Sequence, residues 1–370
     1  MWRPMVASVV LALTLVPGSV LAGEEEPAIG SFSLAGSLAE ARSGHTATTL
    51  LDGRVLVAGG SGGEDVGTLA SAELWDPATG SFGPAPSLAE TRAGHTATLL
   101  GDGRVLVAGG GSLRASAELW DAATESFGPT GSMSAGRALH TATLLSDGRV
   151  LVVGGQTGDY SPTERAKLYD PATGTFAPTG ATARLAFHTA TLLPDGRVVI
   201  AGGLFLDLTA PHRAVLYDPD SGTFSPTGSL AWRAYHTATL LLDGRVLIVG
   251  GHAAAPLDSA ELYDPAAGTF TPTGSLMTAR SGHTATLLPD GRVLIAGGFA
   301  DGQKATLDSA ELYDPATGTF GPTGPLATAR FFHTATLLPD GRVFIVGGVG
   351  GDTVLASAEV WEPDTPSTTE

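Results

Sequence analysis

The sequence predicts an all-β protein, a seven-bladed β-propeller in which each blade is a four-stranded antiparallel sheet. Three observations lead to this prediction. A unit of about 45–50 residues occurs seven times along the 370 residues, and self-similarity at this period is typical of repeat folds. Each unit contains four short segments of strand-like composition separated by turn signals. No stretch after residue 22 has the periodicity of a helix.

The first half of each unit predicts a hairpin. It begins with His-Thr-Ala-Thr and passes through Asp-Gly-Arg-Val to a pair of glycines. Asp-Gly favours a tight turn because both residues tolerate positive φ. The run before the glycines is continuously apolar, as expected of a strand that is buried on both faces between neighbouring blades. The seven histidines are His45, His95, His140, His188, His236, His283 and His333.

The second half of each unit reads AELYDPATGTF or a close variant, and it predicts the third and fourth strands. The seventh unit stops at Ala358–Pro363 without a fourth strand, whereas a matching segment, Gly30–Gly36, precedes the first unit. We therefore predict that the N-terminal segment forms the outer strand of the last blade and closes the ring. The predicted propeller spans residues 28–363, and a tail covers residues 364–370.

The N-terminus predicts export. Arg3 precedes an apolar run over residues 5–16, and small residues then lead to Ala22. This order is typical of a signal peptide over residues 1–22, cleaved after Ala22, so the mature protein is expected to be secreted, periplasmic or at the cell surface. The apolar run is short for a membrane span, and an uncleaved anchor is the alternative. The sequence contains no cysteine, which excludes disulfides.

Composition limits the partners. Hydrophobic residues make up 43% of the chain, which predicts a well-buried core. The net charge of −17 disfavours nucleic acid and anionic membranes as partners. We therefore expect no nucleic-acid partner, no stable membrane insertion and a monomeric protein.

The order of motifs resembles the kelch repeat. In the first unit the corresponding pieces are RVLVAGG, AELWDP and GSF, and equivalents occur in all seven units, over about residues 28–363. The last aromatic residue is Phe, where kelch repeats usually carry Trp. The resemblance implies a propeller that binds a ligand at one face.

The connections after the second and fourth strands of each unit lie on one face and differ between units, which indicates either recognition or tolerance of change. In kelch propellers that bind acidic ligands, arginines before the innermost strand line the binding mouth. By resemblance, the equivalent residues form a candidate anion-binding ring. The alternative is that each Arg ties blades together through backbone carbonyls. These residues are Arg42, Arg92, Arg137, Arg184, Arg233, Arg280 and Arg330.

Aromatic residues replace small ones beside some of these arginines. The candidate ligand contacts are Arg184, Phe187, Trp232, Arg233, Tyr235, Arg330, Phe331 and Phe332. Aromatic rings at a channel mouth suit a sugar or an apolar side chain. Packing between blades is the alternative. The fourth unit also has one extra residue between its Arg and its His, so we expect a bulge there.

The histidines raise the question of a metal. Seven residues around a wide ring cannot converge on one ion, so we expect each His to bond a neighbouring blade and predict no metal site. His212 and His252 lie outside the repeat pattern and are expected to be solvated.

The segment Tyr235-His236, with the LLLDGRV and GG that follow, is similar to the propeller of galactose-oxidase-like and glyoxal-oxidase-like proteins, where this Tyr and His are copper ligands. Those enzymes also need a Tyr–Cys cross-link and a further His from a separate domain. This sequence has no Cys and ends seven residues after Pro363. We therefore predict no cofactor.

No other catalytic motif is present. The leading hypothesis is an exported binding module that recognises a protein or glycan ligand, anionic in character, at the loop face. One alternative is a carbohydrate-active enzyme, lyase, epimerase or oxidase-like, that uses the same mouth. Another is a structural module of a surface assembly with no small ligand.

Overall fold

A computed structural model describes residues 30–158, 161–204, 213–300 and 305–364, except for the side chains of Glu164 and Arg213. Within these residues the chain forms seven four-stranded antiparallel sheets. The innermost strand of each sheet packs against the innermost strands of its two neighbours, and the last sheet returns to the first. The predicted seven-bladed β-propeller is therefore confirmed. The predicted signal peptide, His212 and the tail after residue 364 lie outside the described residues.

The strands are numbered in chain order. The first strand is β1 (Ser31–Ser37). Blade 1 contains β2 (Thr46–Thr49), β3 (Val55–Ala58), β4 (Ala72–Asp76) and β5 (Ser81–Ala85). Blade 2 contains β6 (Thr96–Leu99), β7 (Val105–Ala108), β8 (Ala117–Asp121) and β9 (Ser126–Pro129). Blade 3 contains β10 (Thr141–Leu144), β11 (Val150–Val153), β12 (Thr163–Asp170) and β13 (Thr175–Leu185). Blade 4 contains β14 (Thr189–Leu192), β15 (Val198–Ala201), β16 (Arg213–Asp218) and β17 (Thr223–Ser229).

The remaining blades follow the same order. Blade 5 contains β18 (Thr237–Leu240), β19 (Val246–Val249), β20 (Ala260–Asp264) and β21 (Thr269–Pro272). Blade 6 contains β22 (Thr284–Leu287), β23 (Val293–Ala296), β26 (Ala310–Asp314) and β27 (Thr319–Thr323), with the short hairpin of β24 (Phe299–Ala300) and β25 (Ala305–Thr306). Blade 7 contains β28 (Thr334–Leu337), β29 (Val343–Val346) and β32 (Ser357–Glu362), with the hairpin of β30 (Val349–Gly350) and β31 (Thr353–Val354).

The N-terminal strand closes blade 7, as the sequence predicts. β1 pairs antiparallel with β32, and Phe32 lies opposite Trp361. The carbonyl of Gly30 accepts a hydrogen bond of 3.1 Å from the amide of Gly324 in blade 6. Trp75 Nε1 of blade 1 donates to the carbonyl of Ala35 at 3.0 Å. One N-terminal segment therefore joins blades 6, 7 and 1.

The core consists of seven apolar clusters, one between each pair of adjacent blades. The second strand of each blade is buried along its whole length, for example in Val246–Val249. Burial on both faces explains why these strands are continuously apolar rather than alternating.

Two polar contacts repeat at all seven blade interfaces. The amide of the second glycine of each pair donates to a backbone carbonyl before the His of the next blade, as from Gly251 to Arg280 at 2.9 Å. Each His Nε2 also bonds the Thr Oγ1 that opens the preceding blade, at 2.9–3.1 Å. The His ring lies so close to the first glycine that a Cβ at Gly250 would be 2.9 Å from Cε1 of His283. The structural role predicted for the histidines is thus the observed one.

Candidate ligand-binding mouth

The residues directly before the seven histidines form a ring at the centre of the loop face, which we call the mouth ring. All seven have left-handed backbone conformation, with φ between 51° and 63°. Backbone hydrogen bonds link several consecutive members, such as Leu139 N to Gly94 O at 2.9 Å and Phe332 N to Gly282 O at 3.0 Å. The members are Gly44, Gly94, Leu139, Phe187, Tyr235, Gly282 and Phe332.

Four members of the mouth ring are not glycine. A left-handed conformation costs an L-residue about 1–2 kcal/mol, and the three glycine members show that the same backbone forms without this cost. Phe187, Tyr235 and Phe332 keep large rings at strained positions. Strain of this kind is typical of functional sites.

The three aromatic members lie together. The rings of Phe187 and Tyr235 are 4.2 Å apart between centroids, and those of Tyr235 and Phe332 are 5.8 Å apart. Tyr235 and Phe332 meet although they belong to blades 5 and 7, because Gly282 of blade 6 has no side chain between them. A Cβ at Gly282 would lie 3.0 Å from Cε1 of Phe332. We call Phe187, Tyr235 and Phe332 the aromatic platform.

Two buried rings support the platform. Phe331 and Phe299 pack edge to face at 5.2 Å, and Phe331 lies 5.0 Å from Phe332. Phe332 itself is 38% exposed. The hydroxyl of Tyr235 makes no hydrogen bond to a described residue, and partial burial raises its pKa. The platform therefore offers flat apolar faces and one polar group.

A cavity of about 780 Å³ opens on the same face beside blades 2 and 3. Gly94 and Leu139 belong both to the mouth ring and to the cavity wall, and Gln156 and Thr157 supply polar groups. One side of the mouth ring, from blades 4, 5 and 7, is therefore aromatic, and the other side, at blades 2 and 3, borders the cavity.

The candidate arginines have a different role from the one that the kelch resemblance implies. Arg233 and Arg330 are fully buried. Arg233 Nη1 donates to Gly250 O and Ser259 O, both at 3.0 Å, and its Nη2 pairs with Glu261 at 2.6 Å. Arg330 pairs in the same way with Glu359 at 2.7 Å. Because neither guanidinium group reaches the surface, we remove both from the candidate ligand contacts and assign them to the fold.

The alternative from the sequence, that each Arg ties blades together through backbone carbonyls, needs one change. Each of the six buried guanidinium groups bonds carbonyls of its own blade rather than of the next one, as Arg42 does with Gly59 O at 2.8 Å. The link to the neighbouring blade comes from the backbone, since Arg42 O accepts from Gly348 N at 2.9 Å. We call the segment that leads from the outer strand of one blade to the innermost strand of the next the crossover. The Arg–Glu pair fixes the crossover, because the Glu also accepts backbone amides of that segment, such as Ala39 N at 2.9 Å.

Arg184 is exposed near the end of β13, and Leu185 takes the buried position that Arg holds in other blades. The carbonyl of Leu185 accepts the amide of Gly155 at 2.8 Å, as the Arg carbonyls do elsewhere. Because of the predicted extra residue, Arg184 does not occupy the buried position that the arginines of the other six blades occupy.

Trp232 is 38% exposed on the crossover before blade 5 and makes no ring contact within the described residues. His252, expected to be solvated, is half-buried, and its ring lies 6.5 Å from that of Phe299.

The copper chemistry of galactose-oxidase-like proteins does not fit these residues. The Nε2 of His236 bonds Thr189 Oγ1 at 3.1 Å, and the His236 ring is buried. The ring of Tyr235 packs on Phe187. Within the described residues no three His, Cys, Asp or Glu side chains are grouped to hold a metal ion.

The opposite face carries the Asp-Gly-Arg turns, in which each Asp pairs with the Arg two residues later at 2.6–2.8 Å. These partly exposed pairs contribute about 0–1 kcal/mol each. A cavity of about 560 Å³ lies between two such turns, Asp195–Arg197 and Asp243–Arg245. Since the Asp and Arg of each of these turns already pair with each other, it is a weaker candidate site than the mouth.

Comparisons with known proteins agree with this fold. The family model described as "Kelch motif" matches residues 233–277, which include the four strands of blade 5. No curated protein matches the sequence significantly. Among solved structures, a fungal alcohol oxidase of the AA5 family, in complex with copper, is similar at 20% identity and a TM-score of 0.76, over 90% of this chain and 76% of that one. At this identity the likeness shows the fold alone.

The class of protein is therefore a seven-bladed propeller that contains a kelch motif, and the kelch resemblance is confirmed. No helix in the described part of the chain is long and apolar enough to cross a membrane.

Leu139, Phe299 and the buried glutamates are not among the site residues predicted from the sequence. The glutamates had a visible signal. Units 1, 2, 5 and 6 carry Glu in the AEL motif and unit 7 carries it in AEV, whereas units 3 and 4 carry Lys167 and Val215 at this position. In unit 4 the buried Arg is also absent.

Proposed function

We propose that this chain is an exported binding module that holds its ligand on the aromatic platform at the centre of the loop face. The observation that carries this proposal is the presence of Phe187, Tyr235 and Phe332 at left-handed positions where Gly44, Gly94 and Gly282 serve the fold as well. A strained, partly exposed cluster of rings is better explained by ligand contact than by folding.

The ligand that suits this platform presents a flat, uncharged face, such as a sugar ring of a glycan or an apolar side chain of a protein partner. Aromatic rings stack on such faces, and the Tyr235 hydroxyl is available as a hydrogen-bond partner. At the aromatic platform, the anionic ligand expected from the sequence loses its support, because Arg233 and Arg330 are neutralised by buried glutamates.

Glycan-array and peptide-capture screening of the protein would identify the ligand. The variants Phe187→Gly, Tyr235→Gly and Phe332→Gly each copy the residue found at Gly282. We expect each to weaken binding by roughly tenfold, as expected for loss of an aromatic contact worth about 1.5 kcal/mol. We also expect each to keep or raise the melting temperature, because glycine relieves the backbone strain.

The matched control is Leu242→Ala, which removes a side chain that is 73% exposed on the opposite face and should leave binding unchanged. Trp232→Ala tests whether the ligand extends to the crossover. Full binding by a folded triple-glycine variant would refute the platform as the site. Turnover of a bound sugar would favour the alternative of a carbohydrate-active enzyme.

Export is a separate part of the proposal and rests on residues 1–22. N-terminal sequencing of protein recovered from the culture medium or periplasm should begin at Gly23. Recovery of the intact N-terminus from the cytoplasm would contradict it.

A further inference from the structure

Blade 3 departs from the charge pairing that holds the crossovers of five other blades. In blades 1, 2, 5, 6 and 7 a fully buried Arg pairs with a Glu at 2.6–3.0 Å. In blade 3 the Arg is kept as Arg137, but Lys167 stands at the position of the Glu. Arg165 stands at the position of the Ser whose hydroxyl bonds the Arg in those blades.

The backbone around Arg137 nevertheless follows the common path. Met133 N donates to Ala115 O at 2.8 Å, as Leu88 N does to Ala70 O in the crossover that leads into blade 2. Arg137 Nη1 donates to Gly154 O at 3.0 Å and to Arg165 O at 2.8 Å. The guanidinium group is therefore anchored where the other five are, and it is fully buried.

Two donors of this group have no partner among the described residues. Arg137 Nε and Nη2 are buried and make no hydrogen bond there, whereas the Nη2 of Arg280 bonds both Ser309 and Glu311. Burial lowers the pKa of Arg137 to about 10, so it stays charged at neutral pH. A buried cation with unused donors is unfavourable unless an anion pairs with it.

Lys167 adds a second positive charge. It is 7% exposed and forms no ion pair within the described residues. Burial lowers its pKa, and the charges of Arg137 and Arg165 lower it further. Blade 4 has no charge at either position, because Leu185 replaces the buried Arg and Val215 replaces the Glu within one apolar cluster. Blade 3 instead places a cation at each of these two positions.

We propose that blade 3 binds a carboxylate group from outside the chain, in the position that a Glu carboxylate occupies in five other blades. Nε and Nη2 lie on one edge of the guanidinium plane and match the two oxygens of a carboxylate. The amide of Ser134 is at the chain position of Ala39 and Ala89, whose amides donate to the glutamates at 2.9 Å and 2.8 Å.

We expect only a small group to enter this site, because Arg137 is fully buried. Ser134, three residues before Arg137 on the same crossover, is exposed. Ala135 and Gly136 of the same crossover line the cavity of about 780 Å³, so we expect entry from the loop face. The carboxylate comes either from a free small acid or from an acidic side chain of a bound peptide. This site is separate from the aromatic platform and does not depend on the proposed function.

The test measures the melting temperature in sodium formate against sodium chloride at constant ionic strength. At tenfold the dissociation constant, formate should raise the melting temperature of the wild type by roughly 2–4 °C. Lys167→Glu restores the acid of the other blades and should melt higher in chloride and show no formate response. Glu261→Lys copies blade 3 into blade 5, and it should melt lower in chloride and show a larger formate response than the wild type.

An Asp-containing tripeptide with blocked termini distinguishes the two sources of the carboxylate. A response to formate alone assigns the site to a small acid, and a response to both assigns it to an acidic side chain. Equal formate responses of the wild type and Lys167→Glu would overturn the proposal, as would no response in the wild type. The Lys167→Glu comparison remains decisive if Glu261→Lys fails to fold.

Discussion

At the scale of single residues, the main result is that identical side chains in the repeat serve the fold, and the exceptions are the candidates for function. Arg330 is fully buried and makes four hydrogen bonds through its two Nη atoms, to Gly347 O, Ser357 O, Ser357 Oγ and Glu359. Its neighbour Phe332 is strained and 38% exposed. Arg330 therefore serves the fold, whereas Phe332, two residues later, is accessible to a ligand.

Arg330→Ala should destabilise the protein by about 3–5 kcal/mol, because it leaves the fully buried Glu359 without its cation. Urea unfolding measures the loss. Arg342→Ala is the matched control, since Arg342 forms an exposed pair with Asp340 and its removal should cost no more than about 1 kcal/mol. If Arg330→Ala were as stable as Arg342→Ala but bound ligand less well, the binding role drawn from the sequence would be restored.

At the scale of elements, each blade is tied to the next by the double glycine that ends its second strand. After β19, Gly250 has φ of 58°, and a Cβ there would lie 2.6 Å from Arg280 O. The next residue, Gly251, donates its amide to the same carbonyl. The strand end therefore needs glycine both for its left-handed backbone and for close contact with the next blade.

Gly250→Ala should cost about 2–4 kcal/mol, from the left-handed backbone and from overpacking against Arg280 and His283. The melting temperature or urea midpoint measures this. Gly321→Ala in β27 is the control, because its backbone is not left-handed and a Cβ added there would meet no described atom within 4 Å. Equal stability of the two variants would mean that the glycine pair is not required at the interface.

At the scale of the whole molecule, stability depends on a closed ring of seven equivalent interfaces. Every interface contains a buried His bonded to a Thr of the preceding blade. Burial lowers the pKa of five of these histidines to about 3 and that of His188 to about 4, and it lowers that of His283 well below its usual value. All seven are therefore neutral in the folded protein at neutral pH.

Acid should unfold the protein steeply. The unfolded chain binds protons at its histidines below about pH 6.5, whereas the folded protein does not until about pH 3–4, so stability is complete above pH 6.5 and falls as the pH falls. Each His contributes about 1.4 kcal/mol per pH unit, and seven together contribute on the order of 10 kcal/mol per pH unit. Urea unfolding measured from pH 7.5 to pH 5 should show a proton uptake on unfolding that rises to about seven protons at pH 5.

His236→Gln should reduce this uptake by about one proton. The aspartates of the Asp-Gly-Arg turns act in a different range: hydrogen bonds from their arginines lower the pKa of Asp102, Asp195 and Asp340, so their contribution is lost only below about pH 4. Constant stability from pH 7 to pH 5 would contradict the buried neutral histidines.

Removal of β1 tests closure of the ring. Without Ser31–Ser37 the outer edge of β32 is exposed and Trp75 loses its bond to Ala35. We expect the melting temperature to fall by roughly 10 °C, since several kcal/mol of pairing and packing are lost. A peptide of residues 30–37 added in trans should restore part of the loss, whereas a scrambled peptide should not. An unchanged melting temperature would contradict closure by this strand.

The sequence by itself determined the number of blades, the order of strands and the closing of blade 7. These features depend on local turn chemistry and on repetition, which are visible in the chain. It also determined that Phe187, Tyr235 and Phe332 are unusual, since the other units show what the position normally holds.

Only the tertiary structure decided which arginines reach solvent. Burial of Arg233 depends on the crossover that covers it and on Glu261, which is 28 residues away. The tertiary structure also decided that Leu185 rather than Arg184 fills the buried position in blade 4. It brings Tyr235 and Phe332 into contact across Gly282, and it leaves two donors of Arg137 without a described partner. Each of these facts depends on contacts between segments far apart in sequence, and such contacts exist only once the blades are packed together.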